Sequence, residues 1–256
     1  KAKRDPTFLP TVLTKDFNVS ENSAAAWLPY EAVLNESAAD MAYLGNTYAI
    51  GGCDLSATTD LTCATLLIRK PEDPNFYVLQ QYFLPQARVS ATEQSNAREA
   101  PYRLWAEQGW LTICEGATVD YRAVTEWFTD MVERHGVRPL WICYDRALAG
   151  YWQNDMEDKG FEMVKIPQGP FTWSYPMKRL GGLFEEHRVV YQNNPILRWC
   201  LLNTGVKTLN RDGIQTVQPV KTSSTRRIDG MVSLLNAFVG YCDHEEDFLR
   251  YCRIKE

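Results

Sequence analysis

The sequence predicts an α/β domain built on one mixed sheet, an antiparallel meander followed by parallel strands, with helices flanking it. Three observations carry this expectation. Between Tyr48 and Phe83 three strand-like runs follow one another with only turn-length connections, the spacing of hairpins. Pro139–Tyr144 is a short continuous apolar run after a helix signature, the pattern of a strand buried on both faces. Two stripes repeat at helical spacing, Val124, Trp127, Phe128, Met131, Val132 and then Ile228, Met231, Val232, Leu235, Phe238, Val239, Cys242.

Taken in order, residues 1–46 hold three prolines and few periodic apolar positions beyond a helical patch near Ala24–Leu34. They read as an extended arm leading into a domain over 47–256. Tyr48–Asp54 is a short apolar run ending in an acid, as expected of a central strand. Ser56–Asp60 is a turn, Leu61–Ile68 a second strand, and Asn75–Phe83 a third that alternates apolar and polar residues. Pro85–Trp105 is polar with few core candidates and reads as a connection, before a short strand at Leu111–Cys114. Asp120 is placed to cap a helix that Gly136 can end in a left-handed turn. After Pro139–Tyr144, a helix is expected over 147–159 and a strand over Phe161–Ile166, and Gly169-Pro170 breaks the chain. Residues 173–186 and 195–207 look helical around a Val189–Gln192 strand. Gly213–Gln218 is a further strand, and the last helix opens near Ser224 or Thr225.

Composition bounds the function. No apolar run approaches the ~18–20 residues that cross a bilayer, and no apolar segment follows the basic start to make a secretory signal. The seven cysteines are odd in number and scattered, several inside strand-like runs, so they read as free thiols of a reducing compartment. Cys242, His244 and Cys252 lack the paired Cys-x-x-Cys of a zinc site. The net charge of −5 argues against a broad nucleic-acid footprint. It hides an asymmetry, because Lys165–Gly230 holds ten basic and four acidic residues. That half could face phosphate.

Three acids sit where chemistry is usually built. Asp54 ends the first strand, Asp145 follows the apolar run at 139–144, and Asp229 lies at the start of the last helical stripe. Open sheets place ligands at the carboxyl ends of their strands. Converging carboxylates hold hard divalent cations, and a pair of cations ~3.5–4 Å apart can activate water and stabilise a leaving oxyanion. Each acid also has a plain structural reading. Asp54 can start a turn, Asp145 can cap the next helix, and Asp229 can complement a helix dipole.

At these residues a resemblance appears. Gly51-Gly52-Cys53-Asp54-Leu55-Ser56 with Asp60-Leu61-Thr62-Cys63-Ala64 resembles the opening of the nuclease domain in the large terminase subunit of tailed bacteriophages. Tyr144-Asp145-Arg146 is similar to that family's second acidic motif, and Thr225–Val232 resembles its last. The likeness spans roughly residues 40–245. It implies a ribonuclease-H-like fold that cuts concatemeric double-stranded viral DNA in the host cytoplasm during genome packaging, with portal protein and small terminase subunit as partners. It also implies that 1–46 is a linker following an ATPase motor; the sequence itself contains no Gly-x-x-x-x-Gly-Lys-Ser/Thr phosphate loop.

By the same analogy Asp54, Asp145 and Asp229 are the catalytic residues and the ligands of two Mg²⁺ or Mn²⁺ ions. Asp54 would bridge both, Asp229 would complete the site of the ion that activates water, and Asp145 would hold the ion facing the leaving 3′-oxygen. Asp60 would assist or cap its turn. Arg146, Lys221, Arg226 and Arg227 are the candidate DNA contacts, with solvated charge or carboxylate pairing as the other reading. The aromatic run Phe171–Tyr175 could form a lip against DNA or pack in the core. His135, His187 and His244 fall in none of these motifs. Two other functions stay open, a junction-resolving or transposase-like nuclease on the same scaffold and a non-catalytic docking module of the packaging machine.

Overall fold

A computed structural model describes residues 26–94, 100–145, 150–211, 213–223 and 225–254. The sheet opens with β1 (Tyr48–Asp54), β2 (Thr62–Arg69) and β3 (Phe76–Pro85), joined antiparallel in sequence order. Two short helices, α3 (Gln86–Gln94) and α4 (Tyr102–Glu107), lead to β4 (Leu111–Cys114), which adds parallel to β3. Helix α5 (Tyr121–His135) then carries the chain back to β5 (Arg138–Tyr144), parallel to β1 on its other side. Helix α6 (Gly150–Asp158) and β6 (Met163–Lys165) extend that edge. The order is β4-β3-β2-β1-β5-β6, and β7 (Val189–Val190) pairs with the start of β3. This is the mixed sheet expected, a meander followed by parallel strands.

Helices cover both faces, and the sidedness follows from the two-residue repeat of a strand. Cys53, Ala64, Leu66, Ile142 and Tyr144 bury against Val124, Phe128 and Met131 of α5 and Trp152 and Met156 of α6. The opposite face, with Ile50, Leu67, Val78 and Cys143, packs on α9 (Asp229–Ile254), the last helix. Beyond α9 lie α7 (Pro170–Glu185) and α8 (Pro195–Leu202). The first half of α9 is therefore enclosed on all sides, and every residue from 227 to 241 is buried. Each large apolar side chain fully enclosed there contributes about 1.5–3 kcal/mol.

The ends of α5 match the expectation. The Asp120 carboxylate accepts from the Arg122 N–H, and Gly136 at φ 66° closes the helix on the Met131 and Val132 carbonyls. Elsewhere the structure corrects the reading. Residues 195–207 are not one helix. α8 stops at Leu202, and Thr204–Arg211 (β8) pairs antiparallel with Ile214–Lys221 (β9) in a separate hairpin. The alternating Thr204, Val206 and Thr208 favour extended backbone, and Gly213 supplies the positive φ the turn needs. The stretch 85–105 is partly helical and buries Val89, Tyr102 and Trp105. The last helix starts at Asp229, four or five residues later than expected. α7 starts at Pro170, which suits the first helical position.

Residues 26–46 lie against the domain. They include two single-turn helices, α1 (Tyr30–Val33) and α2 (Met41–Leu44), and bury Leu28, Val33 and Leu44. The Asn35 amide donates to the Val189 carbonyl at 2.9 Å, and the Trp27 N–H donates to Thr204 O at 3.0 Å. Among the described residues no helix is long and apolar enough to cross a membrane.

Candidate active site

Register brings the first two acids together. β1 and β5 run parallel with Cys53 opposite Tyr144, so Asp54 and Asp145 come next on neighbouring strands, ~4.8 Å apart in such a pair. Gly52 and Cys143 both face α9, and two-residue alternation gives Asp54 and Asp145 that same face.

The third acid arrives through close helix packing. A Cβ added at Gly52 would lie 2.2 Å from the Ser233 carbonyl oxygen and 2.8 Å from the Ala237 Cβ. One at Gly240 would lie 2.3 Å from the Cys143 Sγ, and one at Gly230 would lie 2.1 Å from the Tyr82 hydroxyl. The helix thus rests on the sheet through small residues, and buried polar groups fix its depth and rotation. Ser233 Oγ lies 3.1 Å from each of the Gly52 and Cys63 carbonyls and 2.7 Å from Thr65 Oγ1. Asn236 donates to the Cys53 carbonyl, and Gln80 donates to the Gly230 carbonyl and to Thr65 Oγ1. With α9 held this way, Asp229 stands at the mouth of the sheet beside Asp54.

Asp54, Asp145 and Asp229 line one cleft of about 470 Å³, together with Asp60, Lys221, Gln168, Trp173 and Ile228. Burial, and then the charges of Asp229, Asp145 and Asp60, hold the Asp54 carboxyl well above the usual carboxylate range, against the pull of Lys221. Burial and Asp60 push Asp229 up to about 7, opposed by Lys221 and by its own backbone N–H and Arg227. Such shifts mark a site built to be completed by positive charge.

The residues present fit divalent cations. The cleft offers oxygen donors, the kind magnesium and manganese take. The Asp229 Oδ2 atom is buried with no hydrogen-bond partner, and an acceptor left so is costly unless a ligand meets it. Among the described residues no three acidic, histidine or cysteine side chains are drawn together tightly enough to hold an ion as they stand. Mutual repulsion of uncompensated carboxylates acts against closing that distance. Asp60 is different, because both its oxygens are engaged. Lys221 Nζ lies 2.8 Å from one and an Arg227 guanidinium nitrogen 3.0 Å from the other.

Residues 1–245 match the family described as "Terminase large subunit, endonuclease domain". The chain belongs to this family. It is 28% identical over 247 residues to Protein YmfN of Escherichia coli (strain K12), a match covering 93% of this chain and 53% of that protein. The large terminase subunit of Enterobacteria phage HK97 is 28% identical over 185 residues, 72% of this chain and 35% of the relative. The chain therefore spans about half the length of one curated relative and a third of the other. The crystal structure of the HK97 bacteriophage large terminase is similar with a TM-score of 0.70 at 23% identity, over 93% of this chain and 48% of that one. The large terminase nuclease from thermophilic phage G20c with bound cobalt has a TM-score of 0.50 at 11% identity, over 84% and 96% of the two chains. These likenesses are of fold, and the fold is the ribonuclease-H-like one that the resemblance implied.

Within this terminase nuclease domain the predicted site residues divide. Asp54, Asp145, Asp229 and Lys221 share the cleft. Arg227 stands behind it, 7% exposed and paired with Asp60. Arg226 is half-buried on the approach to α9 and outside the cleft lining, while Arg146 lies outside the described residues. Asp60 also lines the cleft, where it anchors two cations of its own. The aromatic run splits, with Trp173 inward on the cleft wall and Phe171 and Tyr175 outward at 66% and 64% exposure. His244 stacks on Trp141 with ring centroids 4.5 Å apart. Gln168 and the supporting Gln80, Ser233 and Asn236 were not anticipated. Their one legible signal was the spacing of small residues Gly230, Ser233, Ala237 and Gly240 along a helix that otherwise reads as large and apolar.

Proposed function

We propose that this chain is a divalent-cation-dependent endonuclease domain that hydrolyses phosphodiester bonds of double-stranded viral DNA during genome packaging. The observation that carries the reading is the shared cleft of Asp54, Asp145 and Asp229, drawn from β1, β5 and α9. Membership of the terminase endonuclease family supports the reaction class, and the cobalt bound by the G20c nuclease supports a divalent cation. Asp54, Asp145 and Asp229 would hold two Mg²⁺ or Mn²⁺ ions. Bound there, the ions would lower the pKa of an attacking water and stabilise the developing charge on the leaving oxygen.

The chain's own residues supply the rest. Asp54, half-buried, and Asp229, buried, are both pressed toward the protonated form by desolvation and then by neighbouring acids, and present acceptor oxygens that arriving ions would compensate. The Ser233 and Asn236 contacts fix α9 against β1, and the Gln80 contact fixes it against β3, and together they set the separation of those two acids. Arg226 and Arg146 are proposed to meet flanking phosphates. The concatemeric substrate, the portal protein and small subunit as partners, the host cytoplasm as compartment, and 1–46 as a linker from a motor are part of the same proposal.

The test is cleavage of supercoiled plasmid with Mn²⁺ by the wild type and by Asp54→Ala. Wild type is expected to nick and linearise the plasmid, and Asp54→Ala to be slower on the order of 10²-fold or more, the scale of losing a charge-stabilising group. A folded wild type that never cuts with any divalent cation would favour a docking module. Strong preference for branched over linear duplex would favour a junction-resolving nuclease.

A further inference from the structure

Among the described residues, the cleft lining sets four carboxylates against one ammonium, Lys221, the last residue of β9. Its partner Asp60 is already satisfied from behind. Arg227, with a side chain 9% exposed, bonds one Asp60 oxygen at 3.0 Å, and Lys221 bonds the other at 2.8 Å. The two cations differ in freedom. The Arg227 guanidinium is enclosed, whereas the Lys221 side chain is 31% exposed on a flexible four-carbon stem. Beyond Asp60, Lys221 lines the same cleft as Asp54, Asp145 and Asp229. Arg227 is thus the fixed partner of Asp60, and Lys221 the displaceable one.

We propose that Lys221 is a built-in counter-cation that occupies the acid cluster in the cation-free protein and gives way when divalent ions bind. It then becomes available to a phosphate oxygen of the DNA. This rests on the reading of the cleft as a cation site. Ions held by Asp54, Asp145 and Asp229 and the Lys221 ammonium on Asp60 share one cleft and repel one another, so ion binding frees this positive group for the substrate. The free protein is spared the full repulsion of its acids, at the expense of some ion affinity.

The experiment is calorimetric titration of the metal-free full chain with Mn²⁺ alone, alongside melting curves with and without Mn²⁺. Lys221→Met keeps much of the stem and removes the charge. It is expected to lower the melting temperature of the metal-free protein and to tighten Mn²⁺ binding about tenfold, as loss of a nearby like charge should. Saturating Mn²⁺ should erase the difference in melting temperature. Lys221→Arg is expected to bind Mn²⁺ as wild type does, and Lys221→Gln repeats the test should Lys221→Met fail to fold. Folded Met and Gln variants that bind Mn²⁺ no more tightly than wild type would overturn the counter-cation role and leave the cation site standing. A wild type that binds no Mn²⁺ would overturn both.

Discussion

Asp229 carries two opposed demands. The residue is 6% exposed, its Oδ2 lacks a partner, and burial together with Asp60 pushes its pKa up to about 7. Without ions the folded chain loses stability by keeping it there, which is the usual cost of a functional acid. Asp229→Asn is therefore expected to abolish cleavage and yet raise the melting temperature of the metal-free protein by about 2–4 °C, the shift of a kilocalorie in a domain of this size. Calorimetry in a chelator checks it, and a lower melting temperature would contradict it. Gly52 shows the converse dependence on fit. Gly52→Ala would drive a methyl into the Ser233 carbonyl, and overpacking of this kind costs about 1–3 kcal/mol or more; urea unfolding measures it. The acids were legible in the sequence because strand ends are where an acid after an apolar run is conspicuous. Ser233, Gln80 and Asn236 were not, since a buried polar residue is spelled no differently from an exposed one until its partners, up to 183 positions away, are known.

The decisive element is α9. Its stripe predicted burial on one side, but the helix is enclosed on all sides over its first half, because α7 and α8 cover the face the sheet leaves open. That closure is a long-range event which periodicity does not encode. The β8–β9 hairpin was partly missed for a similar reason. Leu201, Leu202 and Val206 extend the α8 pattern, and only pairing with 214–221 makes strand the better solution. α9 is tied to α7 by Arg179, whose guanidinium bonds both Glu245 oxygens at 2.7 Å. Arg179 holds the Glu245 carboxyl below its usual range. A depressed carboxylate adds stability above its unfolded pKa of about 4.3 and loses it as pH falls through the folded value. Glu245→Gln is thus expected to destabilise the protein at pH 7 and to converge on wild type in acid, once pH has fallen below the lowered folded value. Urea melts at pH 7 and in acid test this, and an equal deficit at both would refute it.

At the scale of the molecule, charge is distributed by purpose. The chain carries −5 overall, while residues 165–230 carry a local excess of six positive charges. Duplex binding is expected to be weak and to fall steeply with salt, with log K linear in log salt concentration. Fluorescence anisotropy on a duplex across a salt series measures the slope, and a flat response would argue against phosphate contacts. The mixed sheet was readable from the apolar pattern, and the three acids and the family from short motifs. The cleft's own cations were readable only as charges near an acid, because their pairing with Asp60 depends on how β9 meets the start of α9. The most direct test of the whole account is anomalous diffraction from a crystal soaked in Mn²⁺. Manganese density is expected in the cleft, within ligating distance of Asp54, Asp145 and Asp229. Density confined to other sites, with those carboxylates still apart, would contradict it.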